Sequence, residues 1–388
     1  MISEQSEGLL QKYPTPFYLF DIDILRKRIE FLKSHLPESV ALCYAVKANT
    51  FVSPYIDDII ERYEVCSPGE MSISAEQKIS PEKMVISGVY KTPEVIENHI
   101  LSDHCAGHYT AESIEQFELI KRSAQKANKK VSVLLRLTSG NQFGMNEEEI
   151  KNIVSTQKDE QSIDICGIQF FSGTQKTSLK KYKREFSHLQ EFLKELEAEC
   201  GFKARELEYG GGFPVYYFEG DTFDEVEFLN EFSQILNEFD FDVQFTLELG
   251  RSIVASCGYY FTKAVDIKSN KTGNYAIMDG GINHIAYFGQ FMAMKHPYFE
   301  HYPKDEGEEK PWQICGSLCT ANDILVKDLP LKNFKLGDTL IFKNTGAYCS
   351  TEGISLFLSR ALPSVLIKDK DGKISVAREQ TETFKLNY

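Results

Sequence analysis

Lys47 closes the apolar run Val40-Ala41-Leu42-Cys43-Tyr44-Ala45-Val46 and is followed by Ala48-Asn49. A lysine ending a strand of β-formers stands where low dielectric disfavours its charge, and a depressed pKa leaves the free amine that Schiff-base chemistry requires. The same place suits a structural lysine that snorkels from a strand end, so its companions decide. Gly210-Gly211-Gly212-Phe213-Pro214 directly follows the predicted strand Glu206-Leu207-Glu208-Tyr209. Backbone N–H groups at the C-terminal end of a strand suit a phosphate, although a glycine run is also an ordinary tight turn. Glu248-Leu249-Gly250-Arg251 ends another predicted strand with an acid and a guanidinium three residues apart; alone, this is equally a capped strand end with a local ion pair. Taken in order, an amine, a glycine cradle, an acid able to keep a pyridine nitrogen protonated and an arginine for a phosphate dianion describe a site for pyridoxal 5'-phosphate.

The elements that must position these groups alternate. Helical stretches at Ile24 to His35, Pro54 to Arg62, Ala111 to Lys126, Glu147 to Thr156 and Lys180 to Cys200 interleave with β-rich runs. Those runs are Val40 to Val46, Met84 to Ser87, Val131 to Leu137, Ile163 to Phe171, Ala204 to Tyr209 and Val243 to Leu247. Roughly eight βα units over residues 24–255 predict an α/β fold with a closed (β/α)8 barrel. The absence of GxGxxG after the first strand weakens the open doubly wound alternative. From residue 256 the segments become β-rich, and residues 256–388 together with 1–23 are expected to form a mostly-β domain.

Composition sets limits. The 388 residues are 42% hydrophobic and 26% charged, as in ordinary globular domains, with no run of about 18 apolar residues. The start Met1-Ile2-Ser3-Glu4 has neither a basic nor an apolar export pattern, so a cytoplasmic location is expected. Nine cysteines without CxxC pairs argue for free thiols and against a structural metal site. A net charge of −14 disfavours nucleic acid as a partner.

Five segments in order resemble the fold-type III pyridoxal phosphate decarboxylases, the family of diaminopimelate, ornithine and arginine decarboxylases. They are Tyr44-Ala45-Val46-Lys47-Ala48-Asn49, Gly210-Gly211-Gly212-Phe213, Glu248-Leu249-Gly250-Arg251, Cys319 with Asp323, and Gly346-Ala347-Tyr348. The resemblance is to an alanine racemase-like barrel plus a β domain, in a head-to-tail homodimer with shared active sites. It implies Lys47 as the Schiff-base lysine and Glu248 as partner of the ring nitrogen. Gly210, Gly211, Gly212, Gly250, Arg251 and Tyr348 would surround the phosphate. Arg136 resembles the family arginine near the ring, and Thr174 retains a hydroxyl where the family usually has serine. Glu64 with Cys66-Ser67 resembles the acid and following residues after the second barrel strand, in a structural or a direct role. Cys319 of the neighbouring subunit would return a proton to Cα, with Thr320 and Asp323 near the substrate.

Departures from the pattern carry the substrate information. Members acting on basic amino acids place an acid after the catalytic cysteine, where this chain has Thr320. A neutral hydroxyl cannot offset a distal ammonium, and losing a buried charged partner costs about 3 to 5 kcal/mol. Phe171 stands where the family commonly has a histidine stacked on the cofactor ring, so stacking is kept with altered electronics. Leu249 replaces a usual proline, without a functional account. The Cys319-Thr320 pair and Phe171-Ser172-Gly173 resemble the branch that decarboxylates conjugated amino acids, such as citryl-diaminopropionate in siderophore biosynthesis or a glutamyl group on a carrier protein. The small conjugate is favoured because an acidic carrier would meet a chain of charge −14. Alternatives from the same fold are a free diamino-acid decarboxylase, a racemase or epimerase, and a catalytically silent homologue.

Overall fold

The computed structural model describes residues 2–388, which divide into two compact units: residues 29–214 with 224–253, and residues 2–28, 215–223 and 254–388. Strand β1 (Phe17–Asp21) belongs to the second. In the first, β2 (Ala41–Ala45), β3 (Arg62–Val65), β4 (Met84–Ile86), β5 (His108–Ala111), β6 (Val131–Leu137), β7 (Ile163–Phe171), β8 (Glu206–Gly210) and β9 (Gln244–Leu249) form a closed parallel barrel. The ring closes where Cys43 and Tyr44 of β2 pair with Glu248 and Leu249 of β9. Within it Cys43, Val85 and Leu134, from alternate strands, pack with Cys166 as a buried apolar layer, the usual way such a barrel is filled.

The outer helices follow from their patterns. The helix Leu179–Cys200 buries Tyr182, Phe186, Leu189, Phe192, Leu196 and Cys200, a stripe at three- and four-residue spacing. The helix Glu147–Thr156 starts in a capping box, with Asn146 accepting from the Glu149 N–H and the Glu149 side chain accepting from the Asn146 N–H. The expected helix over Pro54 to Arg62 is not formed. A 3-10 turn spans Thr50–Tyr55 and Arg62 already begins β3. Pro54 cannot extend a helical ladder, and the buried run Tyr63-Glu64-Val65 is required between β2 and β4.

The second unit continues with β10 (Gly258–Asn270), β11 (Gly273–Met278), β12 (Phe299–Tyr302), β13 (Glu309–Cys315), β14 (Ile324–Lys332), β15 (Thr339–Lys343), β16 (Ser364–Lys368) and β17 (Ile374–Arg378). Its nine-stranded sheet runs β14-β13-β11-β10-β1-β16-β17, with β15 pairing β10 and β12. The N-terminal strand β1 lies antiparallel to β10 and parallel to β16. Its side chains Phe17 and Leu19 join Leu9, Phe261, Ile341 and Leu366 in one core. Among the described residues no helix is long and apolar enough to cross a membrane.

Candidate active site

Strand ends of the barrel bring the predicted groups to one mouth. Lys47 lies in a 3-10 turn just beyond β2. Its Nζ donates to Glu64 Oε2 and to Cys66 Sγ at 3.4 Å, and stands 4.0 Å from Glu248 Oε1. The amine is therefore not in the apolar surroundings expected for it: its side chain is 39% exposed and faces two acids. Glu64 also accepts from the Cys66 thiol at 2.8 Å. Burial would raise its pKa, but the Lys47 charge and these hydrogen bonds outweigh it and hold Glu64 below the usual value. Glu248 goes the other way. Burial, reinforced by the Glu64 charge, pushes it up to about 7 against the pull of Lys47 and Arg136. Gln169 donates to Glu248 Oε2 at 3.2 Å from β7, two strands away in the barrel.

Arg136, inside β6, donates to Glu112 Oε1 at 2.9 Å and lies 4.8 Å over the Phe143 ring. Phe171, last in β7, packs directly on Gly210, where a Cβ would come 2.3 Å from its ring. Gly211 N–H donates to Glu248 O at 3.1 Å, which ties the glycine run to the strand carrying the acid. Gly212 has φ +60°, and a side chain there would strike the Gly173 carbonyl, so glycine is needed for conformation and for close approach. Gly250 is partly buried, Arg251 is buried and opens the short helix Arg251–Val254, and Thr174 is exposed on the loop after β7.

Sequence reasoning missed several neighbours. Glu208, one pleat below Gly210 in β8, is buried with neither carboxylate oxygen hydrogen-bonded, and burial with the nearby Glu248 charge pushes its pKa well up. Lys176 is buried behind the glycine run, and its Nζ reaches Tyr209 OH at 2.9 Å, Glu185 Oε2 at 3.1 Å, Ser172 Oγ at 3.2 Å and Gly210 O at 3.3 Å. Burial lowers this amine to about 8, with Glu185 opposing. Charged or amide residues inside apolar strands, as in Ile168-Gln169-Phe170 and Leu207-Glu208-Tyr209, were the available signal.

The remaining predicted residues lie in the β unit. Cys319 is an exposed thiol in the loop between β13 and β14. Asp323, expected near substrate, is turned inward: its Oδ2 accepts from Leu318 N at 2.7 Å and its Oδ1 from Ile282 N at 2.9 Å. Thr320 is partly buried, with its Oγ1 accepting from Asn322 N at 3.4 Å. Tyr348 is partly buried with φ +62°. None of the nine cysteines, all among the described residues, forms a disulfide. His108, Cys166 and Glu206 could offer ligand atoms within 4.8 Å of one another. They lie toward the N-terminal strand ends, where Glu206 is already paired with Arg62 at 2.7 Å.

Residues 22–255 match the model of the pyridoxal-dependent decarboxylase family, pyridoxal binding domain. The chain belongs to this family. It is a pyridoxal phosphate-dependent carboxy-lyase acting on an amino acid or an amino-acid conjugate. Across 96% of its length it is 25% identical to L-glutamyl-[BtrI acyl-carrier protein] decarboxylase of Niallia circulans, covering 93% of that protein. It is 27% identical to diaminopimelate decarboxylase of Helicobacter pylori, over 96% of this chain and 95% of that one. The 2-[(L-alanin-3-ylcarbamoyl)methyl]-2-hydroxybutanedioate decarboxylase of Staphylococcus aureus is 24% identical over 92% of this chain and 94% of its own. A crystal structure of the Helicobacter pylori diaminopimelate decarboxylase complexed with L-lysine matches with TM-score 0.86 at 25% identity, covering 98% of both chains. The barrel mouth fits the cofactor of this family. A lysine amine and a buried acid face each other at 4.0 Å, and in the glycine run the N–H groups of Gly212 and Phe213 have no partner within the protein among the described residues.

Proposed function

We propose that this enzyme decarboxylates an amino acid whose distal amine is already acylated, a citryl-diaminopropionate-type siderophore intermediate being the favoured case. The observation that carries the reading is the loop from Ser317 to Asp323. The position after Cys319 is the neutral Thr320, and the loop's one carboxylate, Asp323, is buried with both oxygens on backbone N–H groups. No acid of this loop is left to meet a distal ammonium. Two relatives are named for conjugated substrates, a glutamyl carrier protein and an alanin-3-ylcarbamoyl compound, which is consistent with the same class here.

In this reading Lys47 supplies the amine that holds the cofactor. Glu248, raised to about 7, can hold a proton near neutrality and would pass it to the ring nitrogen of a bound cofactor, leaving its carboxylate as the partner of that cation. Glu64 and Cys66 orient Lys47. The glycine run and Arg251 would hold the phosphate, and Phe171 together with Arg136, which is oriented by Glu112, would be available to the ring. When bound, pyridoxal phosphate supplies an electron sink for the pair released as the Cα–carboxylate bond breaks. An acid rather than an arginine at the ring nitrogen favours decarboxylation over racemisation. Cys319 of a second copy returns the proton to Cα, and Asp323 fixes its loop. Supporting a homodimer, Phe291, Met292 and Met294 of the β unit are 64–67% exposed, an apolar surface of the kind that partners cover. A cytoplasmic location fits the free thiols.

The test is carbon dioxide release from free diaminopimelate and ornithine set against acylated diamino acids. Release from the conjugates alone supports the reading. Equal release from the free diamino acids overturns it.

A further inference from the structure

The glycine run is held from behind by residues that nothing in the reaction uses directly. Tyr182, buried in the helix Leu179–Cys200, donates its hydroxyl to Gly211 O at 2.9 Å, with Lys176 O next nearest at 3.2 Å. The Lys176 backbone N–H donates to Gly212 O at 2.9 Å, and its amine reaches Gly210 O at 3.3 Å. Three successive carbonyls are thus engaged from the side of the helix and the loop after β7. Because a peptide unit is planar and trans, its N–H points opposite to its carbonyl. Fixing the carbonyls of Gly211 and Gly212 therefore turns the N–H groups of Gly212 and Phe213 to the other side of the loop. Those are the two N–H groups without a partner in the protein among the described residues, and adjacent outward N–H groups make an anion-binding concavity.

We propose that Tyr182 and the side chain of Lys176 are positioning residues that preset the Gly210–Phe213 backbone as a cradle for the cofactor's phosphate. This rests on the reading of the glycine run as the phosphate site. Neither residue touches the cofactor. They act by removing the loop's freedom to rotate its peptides, so the ordering cost is met in folding and not on binding. Ser172, Glu185 and Tyr209 hold the Lys176 amine in place.

The experiment compares pyridoxal phosphate with pyridoxal, which lacks the phosphate, on apoenzyme, reading the dissociation constant of each from cofactor absorbance. Tyr182→Phe removes one hydroxyl and keeps the ring packed against Phe213, Phe228 and Phe232. It is expected to weaken pyridoxal phosphate by about tenfold, the factor for one net hydrogen bond, with pyridoxal within about twofold of wild type. Lys176→Met is expected to act in the same sense. Equal weakening of both ligands by Tyr182→Phe would mean a general packing role and overturn the proposal. Arg251→Met separates the remaining cases. If it loses phosphate selectivity while Tyr182→Phe does not, the phosphate site stands and the positioning role falls. If neither variant changes selectivity, the phosphate reading falls and takes the proposal with it.

Discussion

Lys47 Nζ stands 4.0 Å from Glu248 Oε1 while it is hydrogen-bonded to Glu64, so one amine is shared by two buried acids of opposite tendency. Glu64 is kept ionised by the lysine, and Glu248 is driven by burial and by Glu64 toward its neutral form. A second cation at Glu248 would relieve that conflict, and in the proposed reading a protonated ring nitrogen would be that cation.

Lys47→Ala is expected to abolish the cofactor linkage that borohydride traps, read by mass spectrometry of the reduced protein. A retained adduct would place the cofactor on another lysine. The substitution also leaves Glu64 buried without its cation. The apoprotein should lose about 1 to 3 kcal/mol at neutral pH, a figure reduced by the partial exposure of Lys47. A lowered carboxylate pKa stabilises above its unfolded value and ceases to do so as pH falls, so this difference should vanish in acid.

Glu248→Gln is expected to retain cofactor on Lys47 but lower kcat by about 10²- to 10³-fold, as for other losses of one preorganised electrostatic partner. Its effect on apoprotein stability should be the reverse. Glu248 is raised from 4.5 to about 7, so its favourable contribution is complete below about pH 4.5 and lost as pH rises through 7. Thermal melts should show the glutamine variant gaining on wild type between those limits.

Mixed subunits test the shared site. If the proposed shared site is right, the Lys47→Ala and Cys319→Ala proteins should each be inactive and a mixture allowed to exchange should regain activity, because a hybrid dimer would carry one complete site. No recovery after verified exchange would rule out a thiol contributed by the second copy.

Thr320→Asp should shift preference toward free diamino acids, by about tenfold or more in relative kcat/KM, since a carboxylate restores a partner for the distal ammonium. Steady-state carbon dioxide release on free and acylated substrates checks it.

Much of the fold could be read along the chain because β2, β6 and β7 are long or continuous apolar runs, and because buried parallel strands need not alternate. β3 and β5 escaped for a physical reason. Each is four residues long and interrupted by polar groups with partners on other elements of the barrel: Arg62 and His108 both meet Glu206 at the N-terminal strand ends, Glu64 meets Lys47 at the mouth, and Thr110 meets Ser87.

Lys47, the glycine run and Glu248 with Arg251 could be singled out as candidates by sequence alone, since each sits at the end of a recognisable strand and its chemistry belongs to its residue type. Their environment was decided only by tertiary structure. Barrel closure pairs β2 with β9 and brings Glu248 to a lysine 201 residues earlier, and it turns an expected apolar amine into one half of an ion pair with Glu64. Helix packing places Tyr182 and Lys176 behind the glycine run, and backbone contacts turn Asp323 inward. These are contacts between residues whose spacing along the chain encodes nothing about their neighbours, so only the folded geometry assigns them.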